Sequence, residues 1–476
     1  MPVPVISIAE MRAWEQATWD TGQSAEVVMR LAGRAVAEAA RTMTRRDAPV
    51  LVLAGKGNNG GDARFAAEQL TDRSTTLIDC TESGASLATL RTELGRVVAL
   101  DGLVVDGLFG IGLNRAPTGH WAEIIAAVND SGARVLAVDV PSGLLGDKGT
   151  APGVVIRAEQ TLTFGAPKHG LLAADAVETV GHLVVASEIG LTPCPVAGDS
   201  EWILAGDFAG YPPRRPVAAH KGAFGHLAVF AGSKGYHGAA VLAARGAQRA
   251  MPGLITLYPT EPAYGPVAAQ LRQTMVHPWA ESTALPANVS AVLAGPGLAG
   301  ADVPEAMRRQ VSEAWATLAQ PMVVDASALD WLEPGGSGPG FRVVTPHPGE
   351  AARMLGCSVA DVQADRVAAA RAIAVKFGGC HVVLKGSRTV IFSGQRVGIN
   401  GTGNPLLGQG GSGDVLAGYL AGLLAQPLLR GDLERLVRFA VHQHGLVADR
   451  LTGACRAWDL DDFIPRLGNE MPTMPG

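Results

Sequence analysis

Apolar positions along the chain keep two rhythms. Over 7–42 they recur at helical spacing, with Met11, Trp14, Val28, Leu31 and Val36 on the repeat, which predicts helix. Short continuous apolar runs follow at 50–54, 75–78, 103–105, 135–140 and 160–164. These predict strands, separated by segments of helical pattern such as 63–70. Uninterrupted apolar strands alternating with helices predict a parallel sheet covered on both faces. The rhythm lapses over 205–219, AGDFAGYPPRRPVAA, whose prolines and arginines predict an interdomain connector. It then restarts, with strands expected over 226–231, 291–294, 322–324, 381–384 and 389–392. Helices are expected over 239–250 and from Asp414 through 425. The expected fold class is α/β, as two domains covering 1–210 and 211–476.

Composition narrows the setting. The 476 residues carry 39 Lys and Arg against 44 Asp and Glu, a net charge of -5. That is too mild for a nucleic-acid coat or a polybasic membrane binder. Apolar residues make up 47% of the chain, enough for large cores and too many for disorder. Five cysteines form no CxxC pair, so neither a disulfide framework nor a thiolate zinc site is expected. The opening MPVPVISIAEMRAW has no basic or strongly apolar region of a signal peptide. The apolar run 415–425 is short of the roughly 20 residues that span a bilayer. A reduced, soluble, cytoplasmic protein without nucleic-acid or membrane partners is the expectation.

The first glycine string admits two readings. Gly55-Lys-Gly-Asn-Asn-Gly60 satisfies GxGxxG between a strand and a helix, and Asp79 ends the next strand. That is the form of a dinucleotide fingerprint, so an NAD-dependent dehydrogenase is one reading. Asn58-Asn59-Gly60-Gly61-Asp62 also packs two amides and a carboxylate into the turn, and the carboxylate would repel a pyrophosphate. Asp106 in VVDGLFGIGL and Asp139 in AVDVPSGL end later strands at the same sheet edge, where ligands of open parallel sheets bind. A cavity lined by Asn, Asp and Ser oxygens suits a hard cation.

GKGNNGGD, VVDGLFGIGL, AVDVPSGL and TFGAPKHGLL together resemble the N-terminal, NAD(P)H-hydrate epimerase domain of the bifunctional NAD(P)H-hydrate repair enzymes. The likeness covers most of 1–205. It implies a Rossmann-like three-layer fold with a potassium ion (K+) near the substrate, held by Asn59, Asp106 and Ser142. It implies substrate contacts from Asn58, Asn59, Gly60, Gly61 and Asp62. A second substrate segment would be Gly110, Ile111, Gly112, Leu113, Asn114, Arg115 and Ala116. Asp139 is implied in proton transfer at the hydrated ring carbon. The family loop usually reads GNGNNGGDG; Lys56 and Ala63-Arg64 depart from it and keep open a non-catalytic, nucleotide-binding module.

The second glycine string, NGTGNPLLGQGGSGD, ends in Asp414 at a helix start. Successive amides at a helix N-terminus stabilise developing negative charge, and a carboxylate beside them can take a hydroxyl proton. The sequence lacks GxxxxGK[ST], which argues against a P-loop kinase. The string resembles the GxGD signature of ribokinase-like kinases. With HKGAFGHLAVFAGS, LAGPGLA, VVDASAL, TPHPGEAARMLG and VLKGSRTVI it resembles the ADP/ATP-dependent NAD(P)H-hydrate dehydratase domain, over about 220–451. That likeness implies nucleotide contacts at Lys385, Gly386, Ser387, Arg388, Thr389, Gly411, Ser412 and Gly413. Ala239, Gly297 and His347 would touch the hydrated substrate, and Asp414 would be the general base. ADP with Mg2+ would phosphorylate the 6-hydroxyl, and loss of phosphate would restore NAD(P)H. The small-molecule substrates implied are NADHX, NADPHX and ADP, and a homo-oligomer is expected.

Two smaller signals complete the reading. Lysines are few and mostly lie in glycine-rich loops; Lys168-His169 either faces an anion or is a solvated turn. His442 and His444 would not share a helix face, so no metal is expected there.

Overall fold

The computed structural model describes residues 3–80, 86–455 and 457–470. The chain divides into two compact units, Val3–Trp202 and a second from Ile203 onward.

The first unit holds a six-stranded sheet in the order Ser74–Asp79, Pro49–Ala54, Leu103–Gly107, Val135–Val138, Gln160–Phe164, His182–Ala186. Every neighbouring pair is parallel. The pleat sends alternate residues to opposite faces. Val50, Val52 and Ala54 pack with the helices Ala25–Met43 and Asn58–Gln69, while Leu51 and Leu53 pack with Leu87–Ala99 and His120–Ser131. Helices on both faces give the expected three layers. The long helical stretch near the N-terminus is two helices, Ile8–Asp20 and Ala25–Met43. Gly22 breaks it at φ +88°, and Ser7 and Ser24 cap the two helices.

The sheet of the second unit runs Arg396–Asn400, Val390–Ser393, His381–Leu384, Arg342–Val344, Met322–Val324, Ala291–Ala294, His226–Phe230, Leu254–Tyr258, Met275–Val276. It is parallel except for the last hairpin, where His381–Leu384, Val390–Ser393 and Arg396–Asn400 pair antiparallel. Its largest helix pair, His237–Ala250 and Ser412–Leu424, meets through small residues. A Cβ on Gly418 would lie 1.9 Å from the Ala243 carbonyl oxygen, and one on Gly246 2.3 Å from that of Val415.

The stretch expected to be a connector is not a solvated linker over its first half. Phe208 and Tyr211 are buried in the second unit's core, each with its ring edge-on to Phe439. Arg435 donates to the carbonyls of Asp207 and Ala209 and fixes this segment. Aromatic burial outweighs the turn-forming composition here.

Candidate active sites

In the first unit the strand order reverses between Pro49–Ala54 and Leu103–Gly107, the place where open parallel sheets gather ligands. The glycine string needs its glycines for backbone contact. A Cβ on Gly55 would lie 2.0 Å from the Leu108 oxygen, and one on Gly60 1.9 Å from the Gly55 oxygen. This close fit lets the helix begin at Asn58 rather than near 63, inside the string itself. Asn59 and Asp62, three apart, fall on one helix face, and both are buried.

Asp139 follows Val135–Val138 in the left-handed region, at φ +62°, a conformation that costs free energy in a non-glycine residue. Its Oδ1 accepts from Lys168 Nζ at 2.6 Å, Thr163 Oγ1 at 3.0 Å and the Phe164 amide at 3.3 Å. Lys168 is fully buried and also donates to Thr163 Oγ1 and the Phe164 carbonyl, so all three ammonium protons have partners. TFGAPKHGLL is therefore no solvated turn. Burial, then the charges of Asp139 and Glu15, holds the Asp62 carboxyl well above the ordinary range. Burial and Asp139 also raise Glu15, which comes from the helix Ile8–Asp20. Asp62 accepts no hydrogen bond among the described residues.

Asp106 is fully buried, and burial pushes its carboxyl up to about 6. It accepts from Ser142 Oγ at 2.6 Å, the Ser142 amide at 2.8 Å and the Leu108 amide at 3.2 Å. The Asn59 Nδ2 is buried without a partner, and a Cβ on Gly110 would lie 3.1 Å from Asn59 Oδ1. A buried carboxyl without a counter-cation, beside the Asn59 Oδ1 and Ser142 Oγ oxygens, is what a monovalent cation would satisfy, whereas the orphaned Asn59 N–H calls for an acceptor such as a ligand oxygen. From Gly110 to Ala116 the chain is an open loop, with Gly112, Asn114 and Arg115 exposed.

The dinucleotide reading does not stand. The Asp79 carboxylate that would hold a ribose is taken by Arg64, whose Nε and Nη2 donate to it at 2.8 and 2.5 Å. The same guanidinium donates to the Gly55 carbonyl at 3.0 Å, so Arg64 braces the turn from outside.

In the second unit the predicted residues follow the carboxyl ends of three parallel strands, two of them adjacent and the third one strand away across Met322–Val324. Gly297 follows Ala291–Ala294, His347 follows Arg342–Val344 and Lys385 follows His381–Leu384. Gly297 adopts φ +66°, and a Cβ there would lie 3.0 Å from the Ala239 Cβ. Asp414 lies in the first turn of Ser412–Leu424, whose N-cap Gly411 adopts φ +97°. The amides of Gly413 and Asp414 make no backbone hydrogen bond, leaving two donors at the helix N-terminus. Burial first, then the negative charges of Asp325 and Glu350 against the opposing Lys385, moves Asp414 up to about 7.

Lys385 Nζ donates to Asp325 Oδ1 at 2.7 Å and lies 3.9 Å from Glu350 Oε2. A Cβ on Gly413 would lie 3.3 Å from that nitrogen. Asp325 and Glu350 belonged to no sequence expectation, although VVDASAL and TPHPGE contain them. His347 caps the helix Pro348–Leu355; its Nδ1 accepts the Gly349 amide at 3.0 Å, leaving Nε2 to carry the proton. His444 Nε2 donates to the Ser412 carbonyl at 3.1 Å and supports the turn, and burial lowers this histidine to about 4. His442 is buried without a partner on either nitrogen and packs on Phe208. Among the described residues no cluster of three or more His, Cys, Asp or Glu could hold a metal.

Comparison with known proteins divides along the same lines. Residues 227–462 match the NAD(P)H-hydrate dehydratase family, and 25–100 and 79–170 match the family described as YjeF-related protein N-terminus. The bifunctional NAD(P)H-hydrate repair enzyme of Coxiella burnetii is 33% identical over 96% of this chain and 97% of its own. That of Gloeobacter violaceus is 37% identical over 89% of each chain. A solved Streptococcus mutans structure, called a hypothetic protein, is similar over 56% of this chain and 97% of its own, at 26% identity and TM-score 0.50.

Proposed function

The chain belongs to the bifunctional NAD(P)H-hydrate repair enzymes, and from that premise we propose how its two units divide the work. The first, Rossmann-like unit interconverts the R and S forms of hydrated NAD(P)H. The second, ribokinase-like unit dehydrates the S form with ADP, giving NAD(P)H, AMP and phosphate. The observation that carries this reading is Asp414, half-buried in the first turn of a helix beside two unpartnered amides and the Lys385 ammonium.

In the dehydratase unit Asp414 takes the proton of the ring 6-hydroxyl as that oxygen bonds the terminal phosphorus of ADP and AMP departs. The Gly413 and Asp414 amides and Lys385 face the transferred group and offset its charge. The C6–O bond then breaks with phosphate as leaving group, and loss of the C5 proton restores the ring double bond. Lys385 already occupies Asp325 and Glu350, so a divalent ion would be held by the nucleotide phosphates rather than by a protein cage. Bound there, it would neutralise phosphate charge.

In the epimerase unit the hydrated carbon bears a hydroxyl beside a ring nitrogen, so loss of water gives an iminium that either face can re-hydrate. Asp62, whose carboxyl burial holds well above the ordinary range, is the acid that protonates the departing hydroxyl. Asp139, fixed by Lys168, accepts the proton of the returning water. Asn59, Asp106 and Ser142 would hold a potassium ion, which offsets the buried Asp106 charge and fixes the strand-end loops. The cytoplasm, where hydrated cofactor and ADP occur together, is the proposed compartment. The test is turnover of pure R hydrate with ADP: Asp139→Asn should slow it at least about 100-fold while leaving pure S hydrate unaffected. Equal rates on the R hydrate would remove the epimerase assignment.

A further inference from the structure

We propose that Arg366 is a positioning residue of the nucleotide site, holding the loop 385–389 in the conformation that presents its amides to the phosphates of ADP. The inference rests on the reading above that this loop contacts the nucleotide.

Arg366 opens the helix Arg366–Lys376 and belongs to none of the motifs that mark the site. Its guanidinium lies under the loop that joins His381–Leu384 to Val390–Ser393. Nη2 donates to the carbonyl oxygens of Leu384 at 2.9 Å and Lys385 at 3.1 Å, and Nη1 donates to that of Ser387. One rigid fork thus fixes three carbonyls of a short loop. In a trans peptide the carbonyl and the following N–H point in opposite directions. With the Lys385 carbonyl turned down to Arg366, the Gly386 N–H is turned away from it, and that amide makes no backbone hydrogen bond.

Two further features show how closely the loop fits this fork. Gly386 adopts φ +139°, and a Cβ there would lie 3.0 Å from Arg366 Nη2. Thr389 Oγ1 donates to the Gly386 carbonyl at 3.0 Å and closes the turn. The fork also brings uncompensated charge: its partners among the described residues are carbonyls, and no carboxylate pairs with it. Burial lowers Arg366 to about 10, and burial with Arg366 beside it does the same to Arg388, so two guanidiniums crowd one loop. A turn alone requires neither charge. An anion above the loop uses both the outward amide and the positive potential.

Lysine keeps the charge of Arg366 but cannot span three carbonyls. The experiment compares the full-length protein with Arg366→Lys and Arg366→Gln. It measures kcat, KM for ADP and KM for the S hydrate, with amide hydrogen exchange of 385–389 with and without ADP in the unsubstituted protein. ADP is expected to slow exchange in the loop. Arg366→Lys is expected to raise KM for ADP by about tenfold or more, with kcat and KM for the hydrate within about threefold. Loop protection together with an unchanged KM for ADP in Arg366→Lys would overturn the positioning role and leave the loop reading intact. Absence of protection would overturn the loop reading itself. A uniform loss of activity and folded protein in both variants would make Arg366 structural only and overturn the proposal.

Discussion

Asp139 is buried and Asp414 half-buried, and their surroundings treat them differently. Asp139 has a dedicated buried ammonium at 2.6 Å, whereas Asp414 shares Lys385 with Asp325 and Glu350 and is raised to about 7. The proposed role of general base requires Asp414 to be ionised. Dehydratase kcat/KM should therefore rise with pH and level off above about 7; a profile flat from pH 5.5 to 8 would contradict the role. Because the folded state holds this proton longer than the unfolded chain, stability falls as pH rises from about 4 to 7. Asp414→Asn should cost dehydration at least about 1000-fold yet raise Tm at pH 8, with no gain at pH 4. Lys168→Met should strand Asp139 as an unpaired buried charge, lowering the first unit's stability by about 3 kcal/mol or more in denaturant titration. Motif spacing made Asp139 and Asp414 visible in the sequence. The partner of Asp139 was not, because nothing in GAPKHGLL distinguishes a lysine that turns inward from one left in solvent. Glu15 was hidden for a similar reason: it sits in an amphipathic helix whose pattern reports only apolar packing.

The helices that present these groups are placed by missing side chains. Gly418, Gly246 and Gly422 let Ser412–Leu424 approach His237–Ala250 until backbone meets backbone, which sets where Asp414 stands. Gly418→Ala puts a methyl 1.9 Å from the Ala243 oxygen, a clash with backbone that cannot turn aside. It should destabilise the second unit by about 1–3 kcal/mol and lower dehydration while epimerisation persists. Unchanged melting of that unit would contradict the packing account. The first glycine string follows the same logic. It reads as a phosphate loop because glycines allow one, but here Gly55 and Gly60 serve contact between backbones and Arg64 closes the turn onto Asp79. Strand runs and their parallel pairing were legible from apolar continuity. Less legible were the helix start at Asn58, where asparagines and glycines speak against helix, and Leu254–Tyr258, which follows the Met-Pro-Gly turn after a helix.

At the scale of the molecule, each unit has its own core and its own candidate site. The pairing of activities has a chemical reason: hydration produces both epimers, the ADP-dependent step takes one, and the other must be converted. The cation expectations separate the units as well. Replacing potassium with a large organic cation should slow epimerisation by about tenfold or more and leave ADP-dependent dehydration unchanged. The lapse in pattern near 210 falls inside the second unit, which begins at Ile203; burial of Phe208 and Tyr211 could not be read from a proline- and arginine-rich segment.

The most direct test follows recovery of the nicotinamide absorbance from a mixture of R and S hydrates. It is run with and without ADP and magnesium, for the intact chain and for Asp139→Asn and Asp414→Asn. The account predicts full recovery by the intact chain only with ADP. Asp139→Asn should recover the S fraction fast and the rest slowly, and Asp414→Asn should recover none. Full and equally fast recovery by Asp139→Asn, or any rapid recovery by Asp414→Asn, would contradict it.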